Sequence, residues 1–520
     1  MRRLLEIVAA LAALLVLGAV VTLGSASAAQ KTRPTDRDQS LRDGCQRPSF
    51  LDLTLVNSPE WVYVNHNPSV HVARGVTRVP HPTPVDQPGT HDWFDFNGNL
   101  VPDKRYRYLV AGSKAAGANN FARGEQDAGE EYARLHYEWE EGSLPKFAWP
   151  SDGDRTALWG SWIWDCGHWE TAGRVTGERT EFHPLNAIAV TRKNGARAHP
   201  GEWETDAYIS SDGTFAHLTE ECARRMEPQA DGTYGPGFQG CAGNLPLELK
   251  HDPASFRQRL AHSYTFSVRA PKRPRHASRL VLRSVLRKHS GRVTERVRRT
   301  SRGFSITVTP HTRNLSWGKS YFASWARRRP PGTRLRVTFR KLLIKRADPD
   351  PTEGGPDPTG EKIALYLDLN GYWQLVNGWA PSLFAARDNM LIRLNRTIQV
   401  TVQRGHGVSL FVMGRECDGP SGVVLFGHFV PRTKPCPYNP TESKISSHNN
   451  DDPGTILQRY RSAGAALGTH TLKSRATVFF PHTGRISLYN GVQGEDVYQL
   501  TYTVRRVPPS HPGPPPRGLG

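Results

Sequence analysis

The stretch GSWIWDCGHWETAGRVTGERTEFHP, residues 160–184, holds the densest set of groups able to do chemistry: Asp165, His168, Glu181 and His183. Glu181 and His183 stand two apart, so on a strand both side chains point to one face. Two imidazoles and two carboxylates can hold a divalent transition metal with one position open for water. Asp165, Glu181 and His183 are then the catalytic candidates, with a carboxylate as the base of a hydrolysis. Asp165 and His168 are expected at a strand end in this reading; a second reading is structural, with Glu-x-His-Pro at a strand end forming a corner in which imidazole and carboxylate bond buried backbone groups and each other.

Oxygen donors cluster elsewhere. Asp348 and Asp350 share one segment, and Asp451 and Asp452 follow Asn449 and Asn450 in another. Carboxylates on loops at one end of a sandwich can bind calcium, which takes six to eight oxygens, and they can equally be solvated turns. Asp95, Asn97, Asn99 and Asp103 imitate an EF-hand loop, but Leu100 replaces the glycine needed at the sixth position. A turn between strands is expected there. The nucleophile elbow G-x-S-x-G, the zinc-protease motif H-E-x-x-H and the Walker A loop do not occur.

The elements that must position these groups read as strands. Period-two alternation marks residues 61–64, 161–165, 264–268, 280–282, 304–308 and 335–339, and further strands are expected at 363–369, 398–402, 408–413, 477–480 and 498–504. One helix is expected over residues 125–137, although His136, Tyr137, Glu138 and Trp139 also suit a strand. Lys288, His289, Ser290 and Gly291 suggest a hairpin turn inside an arginine-rich ribbon that includes Arg279, Arg283, Arg287, Arg292, Arg296, Arg298 and Arg299. Such a ribbon could clamp phosphate or carboxylate, or be a solvated face. Few aromatics are interleaved, which argues against a specific nucleic-acid platform. Trp159, Trp162, Trp164 and Trp169 could stack on sugars or fill a core.

The fold class expected is mainly all-β: an N-terminal β-barrel followed by one or two β-sandwiches. Gly153-Asp154-Arg155, then Gly160, Trp162 and Asp165, then Glu181, His183 and Pro184, resemble an element of uncharacterised exported bacterial β-proteins. The segment is also similar to the W-E-x-H-P strand of small OB-like barrels appended to secreted enzymes, with Thr180 in place of the tryptophan. Further on, Asp348-x-Asp350-Pro, Gly360-Glu361 and Asn370-Gly371-x-Trp373 resemble C2-like sandwiches of secreted bacterial proteins.

The N-terminus carries Arg2 and Arg3, an apolar run from Ile7 to Val21 and a small-residue run ending at Ala28 and Ala29. This is the pattern of a secretory signal over residues 1–29, the competing reading being an uncleaved membrane anchor. A lead-in over 30–50, a β region over 51–250, sandwich strands over 255–506 (one unit, or two at 255–347 and 361–506) and a Pro/Gly-rich disordered tail over 507–520 complete the expected organisation. Six cysteines in an exported chain suggest the disulfides Cys222–Cys241, Cys417–Cys436 and Cys45–Cys166. A net charge of +20 is compatible with an anionic surface polymer or glycan as partner, and with a GC-rich genome writing arginine. The function expected is ligand binding in the medium or cell envelope without catalysis. The alternative is a metal-dependent secreted hydrolase using Asp165, His168, Glu181 and His183.

Overall fold

The structure is a computed structural model, and it describes residues 61–64, 69–83, 95–110, 134–139, 144–172, 175–211, 259–275, 279–326, 332–346, 361–375, 384–417, 422–425, 428–431, 454–476, 478–480, 484–486 and 495–508. Regular structure in them is strand almost throughout, so the all-β expectation holds.

Seven strands come first: β1 (Trp61–Tyr63), β2 (Val70–Thr83), β3 (Asp95–Pro102), β4 (Leu135–Trp139), β5 (Arg155–Ala172), β6 (Val175–Arg192) and β7 (Trp203–Ser210). Five of them close a barrel in the order β2-β3-β4-β6-β5, with β5 returning to β2. Its pairs are antiparallel except β4 with β6, which is parallel. This path, with the third and fifth barrel strands side by side, is that of an OB-type barrel. Closure depends on β5, which is long enough to serve two partners and is bent by register breaks around Gly160. A Cβ at Gly160 would lie 2.7 Å from the Pro184 carbonyl oxygen, so glycine permits the close approach at that bend.

Alternation decides which side chains fill the barrel. Phe96, Leu100, Leu135, Tyr137, Trp139, Trp162 and Phe182 are buried in one apolar cluster. Asn97, Asn99, His136, Glu138, Glu181 and His183 occupy the intervening positions on the opposite face. The turn expected over Asp95–Asp103 is therefore strand β3 for nearly its whole length. The described end of the expected helix, residues 134–137, leads into β4 rather than a helix. In both places period-two burial against a neighbouring strand outweighs the local turn and helix signals.

The sheet that forms the barrel then widens. β8 (Tyr264–Arg269), β9 (Leu280–Ser290), β10 (Val293–Thr300), β11 (Gly303–Pro310) and β12 (Ser316–Trp325) follow. β12 pairs with β7 and β9 with β12, while β10-β11-β8 form a second sheet. Trp159, Tyr264, Phe266, Trp317 and Tyr321 fill the space between the two. The expected turn exists, with Gly291 at φ 84°, but it joins strands of different sheets, because β9 hydrogen-bonds β12 and β10 hydrogen-bonds β11. The arginine-rich segment is thus two edge strands and not a hairpin. Edge strands rich in cations also resist pairing with other chains.

The remaining strands are β13 (Gly332–Ile344), β14 (Glu361–Leu369), β15 (Tyr372–Leu375), β16 (Phe384–Ala386), β17 (Met390–Gln403), β18 (Val408–Cys417), β19 (Gly422–Leu425), β20 (His428–Pro431), β21 (Thr455–Tyr460), β22 (Gly468–Lys473), β23 (Val478–Phe480), β24 (Gly484–Ile486) and β25 (Tyr498–Arg506). Sheet β17-β13-β25-β22 packs on sheet β15-β14-β18-β21 through Leu335, Val337, Leu367, Val400, Leu410 and Leu500. Asn370 (φ 50°) and Gly371 (φ 82°) form the two-residue turn between β14 and β15, as Asn-Gly favours. Leu365 and Leu367 face the sandwich interior, whereas Tyr366 joins the barrel's apolar cluster, so β14 is buried on both faces. Trp373 ties the two units: its indole donates to the Pro150 carbonyl at 3.0 Å and its ring meets Phe96, Trp149 and Phe411.

Candidate functional site

On the outer face of the barrel, β4 and β6 run parallel with His136 beside Glu181, which sets Glu138 near His183 one step further on. Glu138 Oε1 lies 2.9 Å from His136 Nε2 and accepts from Asn97 Nδ2 at 2.7 Å. The His183 Nδ1 atom is 3.1 Å from Glu181 Oε1 and 3.5 Å from Glu138 Oε2. His136 Nδ1 meets Asn99 Oδ1 at 3.3 Å. These side chains are nearly closed to solvent, at 13 % for His136, 11 % for Glu138, 3 % for Glu181 and 12 % for His183. One oxygen or nitrogen from each of His136, Glu138 and Glu181 falls within 4.8 Å of the others, a spacing that a metal ion could bridge.

Glu181 and His183 thus share a face, as their spacing implies. Asp165 and His168 sit within β5, not at its end, because that strand runs on to Ala172. Asp165 pairs through its backbone with Arg179, and His168 falls where the register breaks between the Asp165 and Glu170 pairs. The side chains of Asp165 and His168 lie outside the described residues. His136 and Glu138 are the partners that sequence reasoning missed. Their signal, a His-x-Glu repeat on an alternating strand, was present, but the parallel pairing that brings it to Glu181 spans 45 residues of chain.

Asp348, Asp350, Asp451 and Asp452 lie outside the described residues, as do the side chains of all six cysteines. Of the EF-like set, Asn97 and Asn99 belong to the barrel cluster, and Asp103 pairs with Arg155. Trp159 and Trp162 are both buried in cores, so neither is available to stack on a sugar.

A different surface lies on the sandwich. The outward positions of β17, β13, β25 and β22 form rows across four strands. Thr397, Thr338, Thr503 and Thr469 make one row, with hydroxyl contacts of 3.0 Å (Thr338 to Thr397) and 3.1 Å (Thr469 to Thr503). Gln399, Arg336 and Arg505 make the next, and Arg393, Lys341, Thr501 and Thr471 a third. None of the four strands contains an Asp or a Glu. Arg334, Arg336, Lys341, Arg393, Lys473 and Arg505 are exposed. With strands about 4.8 Å apart and rows about 6.7 Å apart, this is a cationic lattice interleaved with threonines, of which Thr501 and Thr503 are buried.

Between barrel and sandwich runs a cleft of about 460 Å³, lined in part by Asp152, Asp154, Arg192, Asp368, Asn370 and Arg459. Arg192 is buried there, bonding Asp154 at 2.9 Å, Asp206 and the Trp149 carbonyl. Burial pushes the Asp154 carboxyl up to about 7 against the pull of Arg192, and it pushes Asp368 up to about 6. Asp154 also accepts from the Ser151 amide, so the Gly-Asp-Arg segment is accounted for by structure.

Fold and surfaces define a class: an OB-type barrel continued into a sandwich that carries one cationic sheet face. No protein-family model matches the chain, and no curated protein matches it.

Proposed function

We propose that the chain is an exported, non-catalytic protein of the cell envelope or medium that binds an anionic glycan across the outer face of β17-β13-β25-β22. The single observation that carries this reading is the acid-free sheet, where guanidinium and ammonium groups are interleaved with threonine hydroxyls. Cations attract the polymer's charges, guanidinium forks pair with carboxylate or sulfate, and the hydroxyls exchange hydrogen bonds with sugar rings. The net charge of +20 adds long-range steering. The hydrolase alternative needs a position open to water beside Glu181 and His183, and the closure of those side chains speaks against it.

Binding of the full chain to an immobilised carboxylated polysaccharide, measured from 50 to 500 mM salt, tests the proposal. Affinity is expected to fall steeply with salt, and Arg336→Glu with Arg505→Glu to weaken binding at least tenfold while the protein stays folded. Equal affinity of wild type and double variant, or equal retention on an uncharged glucan, overturns it.

A further inference from the structure

The cluster on the opposite unit carries a second site. We infer that His136, Glu138 and Glu181 bind one divalent first-row transition ion, zinc being the probe of choice, and that His183 and Asn97 position its carboxylate ligands. This goes beyond glycan binding and rests on different residues.

The donor chemistry is the first support. One imidazole and two carboxylates form a mixed nitrogen and oxygen set of the kind that zinc and its neighbours accept. The geometry is the second. Bonds of about 2.0 to 2.2 Å place neighbouring ligand atoms roughly 3.3 to 3.6 Å apart around a tetrahedral ion and roughly 2.8 to 3.1 Å apart around an octahedral one. His136 Nε2 and Glu138 Oε1 are 2.9 Å apart, and one donor atom from each of the three residues lies within 4.8 Å of the other two. Small rotamer adjustments bring such a set around one ion.

The surrounding contacts are those that metal ligands need. His136 offers its Nδ1 to Asn99 Oδ1, which accepts and so leaves Nε2 as the nitrogen turned toward Glu138. His183 holds both carboxylates, at 3.1 Å and 3.5 Å, and Asn97 Nδ2 holds Glu138 at 2.7 Å. Asn97 itself is 9 % exposed and its Oδ1 is buried without a hydrogen-bond partner, a further hard oxygen beside the carboxylates. The strands supply the rigidity, because the ligands come from two neighbouring, parallel-paired strands of a closed barrel. The competing explanation is that protonated imidazoles alone neutralise the two carboxylates.

The test uses the full chain, stripped with chelator and titrated with zinc, then with cobalt as a spectroscopic stand-in. One zinc per chain, binding tighter than 10 µM, a higher melting temperature in zinc, and cobalt bands characteristic of mixed nitrogen and oxygen ligation are expected. Glu138→Gln and Glu181→Gln should each weaken binding at least tenfold, and His183→Gln should do so while keeping the 1:1 stoichiometry. Absence of zinc binding tighter than 100 µM to wild type overturns the inference whether or not the variants fold. Wild-type affinity in a folded Glu181→Gln variant also overturns it. Glycan retention is measured in parallel: loss of zinc with retention intact separates this site from the sheet face.

Discussion

Two polar faces of this molecule, the outer side of the barrel at β3, β4 and β6 and the outer side of the sheet β17-β13-β25-β22, have opposite characters. On the barrel, donors and acceptors are matched within a few ångströms and nearly closed to water. On the sandwich, like charges are spread over four strands with no acid among them and stand in solvent. A closed polar cluster makes its energy internally, in bonds that solvent cannot replace, so its residues serve stability or a small captive ligand. An open lattice of like charges gains little within the fold beyond the exposed pair of Lys473 with Asp496, and in water its mutual repulsion is screened. On the proposed function, the favourable energy of that face comes from an external anion.

That contrast can be broken most forcefully at the buried end of β6. Arg192→Met leaves Asp154 and Asp206 buried without their guanidinium. A loss of about 4 kcal/mol in urea unfolding is expected. A loss under about 1 kcal/mol would mean that the barrel's buried charges are as dispensable as those of the open sheet.

Within β13 the comparison narrows to adjacent residues. Leu335 is fully buried and Arg336 is exposed next to it. Leu335→Ala should cost about 3 kcal/mol through the cavity it leaves. Arg336→Ala should stay within about 0.5 kcal/mol in stability while lowering glycan retention. Similar costs for the two would remove the sheet's claim to be a free surface.

Smaller, but diagnostic, is the pH response of the cleft. Asp154 titrates near 7 and Asp368 near 6 in the fold, above the unfolded carboxyl range near 4. The folded state therefore holds these protons more tightly, so their contribution is full below about pH 4 and is lost as pH rises to about 7. Wild type should show a higher urea midpoint at pH 5 than at pH 8 from this source, and Asp154→Asn should shrink the difference. An unchanged difference would show that Asp154 does not titrate in that range.

Much of the fold was legible in the residues. Leu335, Val337 and Phe339 mark β13 by alternation, and the run from Ile363 to Leu369 marks β14. The same alternation placed Glu181 and His183 on one face. It could not place His136 and Glu138 beside them, because a parallel pair is set by the barrel's closure and leaves no local trace. The Asp95–Asp103 segment misled for a related reason: Asn and Asp favour turns in isolation, yet Phe96 and Leu100 drive burial against β4. The cationic sheet was hidden differently. Arg334, Arg336, Arg393 and Arg505 are scattered over 172 residues of chain, and only strand pairing gathers them.

By itself, the sequence determined an all-β chain with strands where apolar residues alternate, since burying one face needs only local periodicity. The tertiary structure alone decided which strands lie side by side. It thereby decided that Glu181 and His183 meet His136 and Glu138, and that the arginines of β9 and β10 part into two sheets while those of β13, β17 and β25 join in one. Strand neighbours are chosen by barrel closure and sheet packing, which depend on the shape of the whole core and not on any single segment.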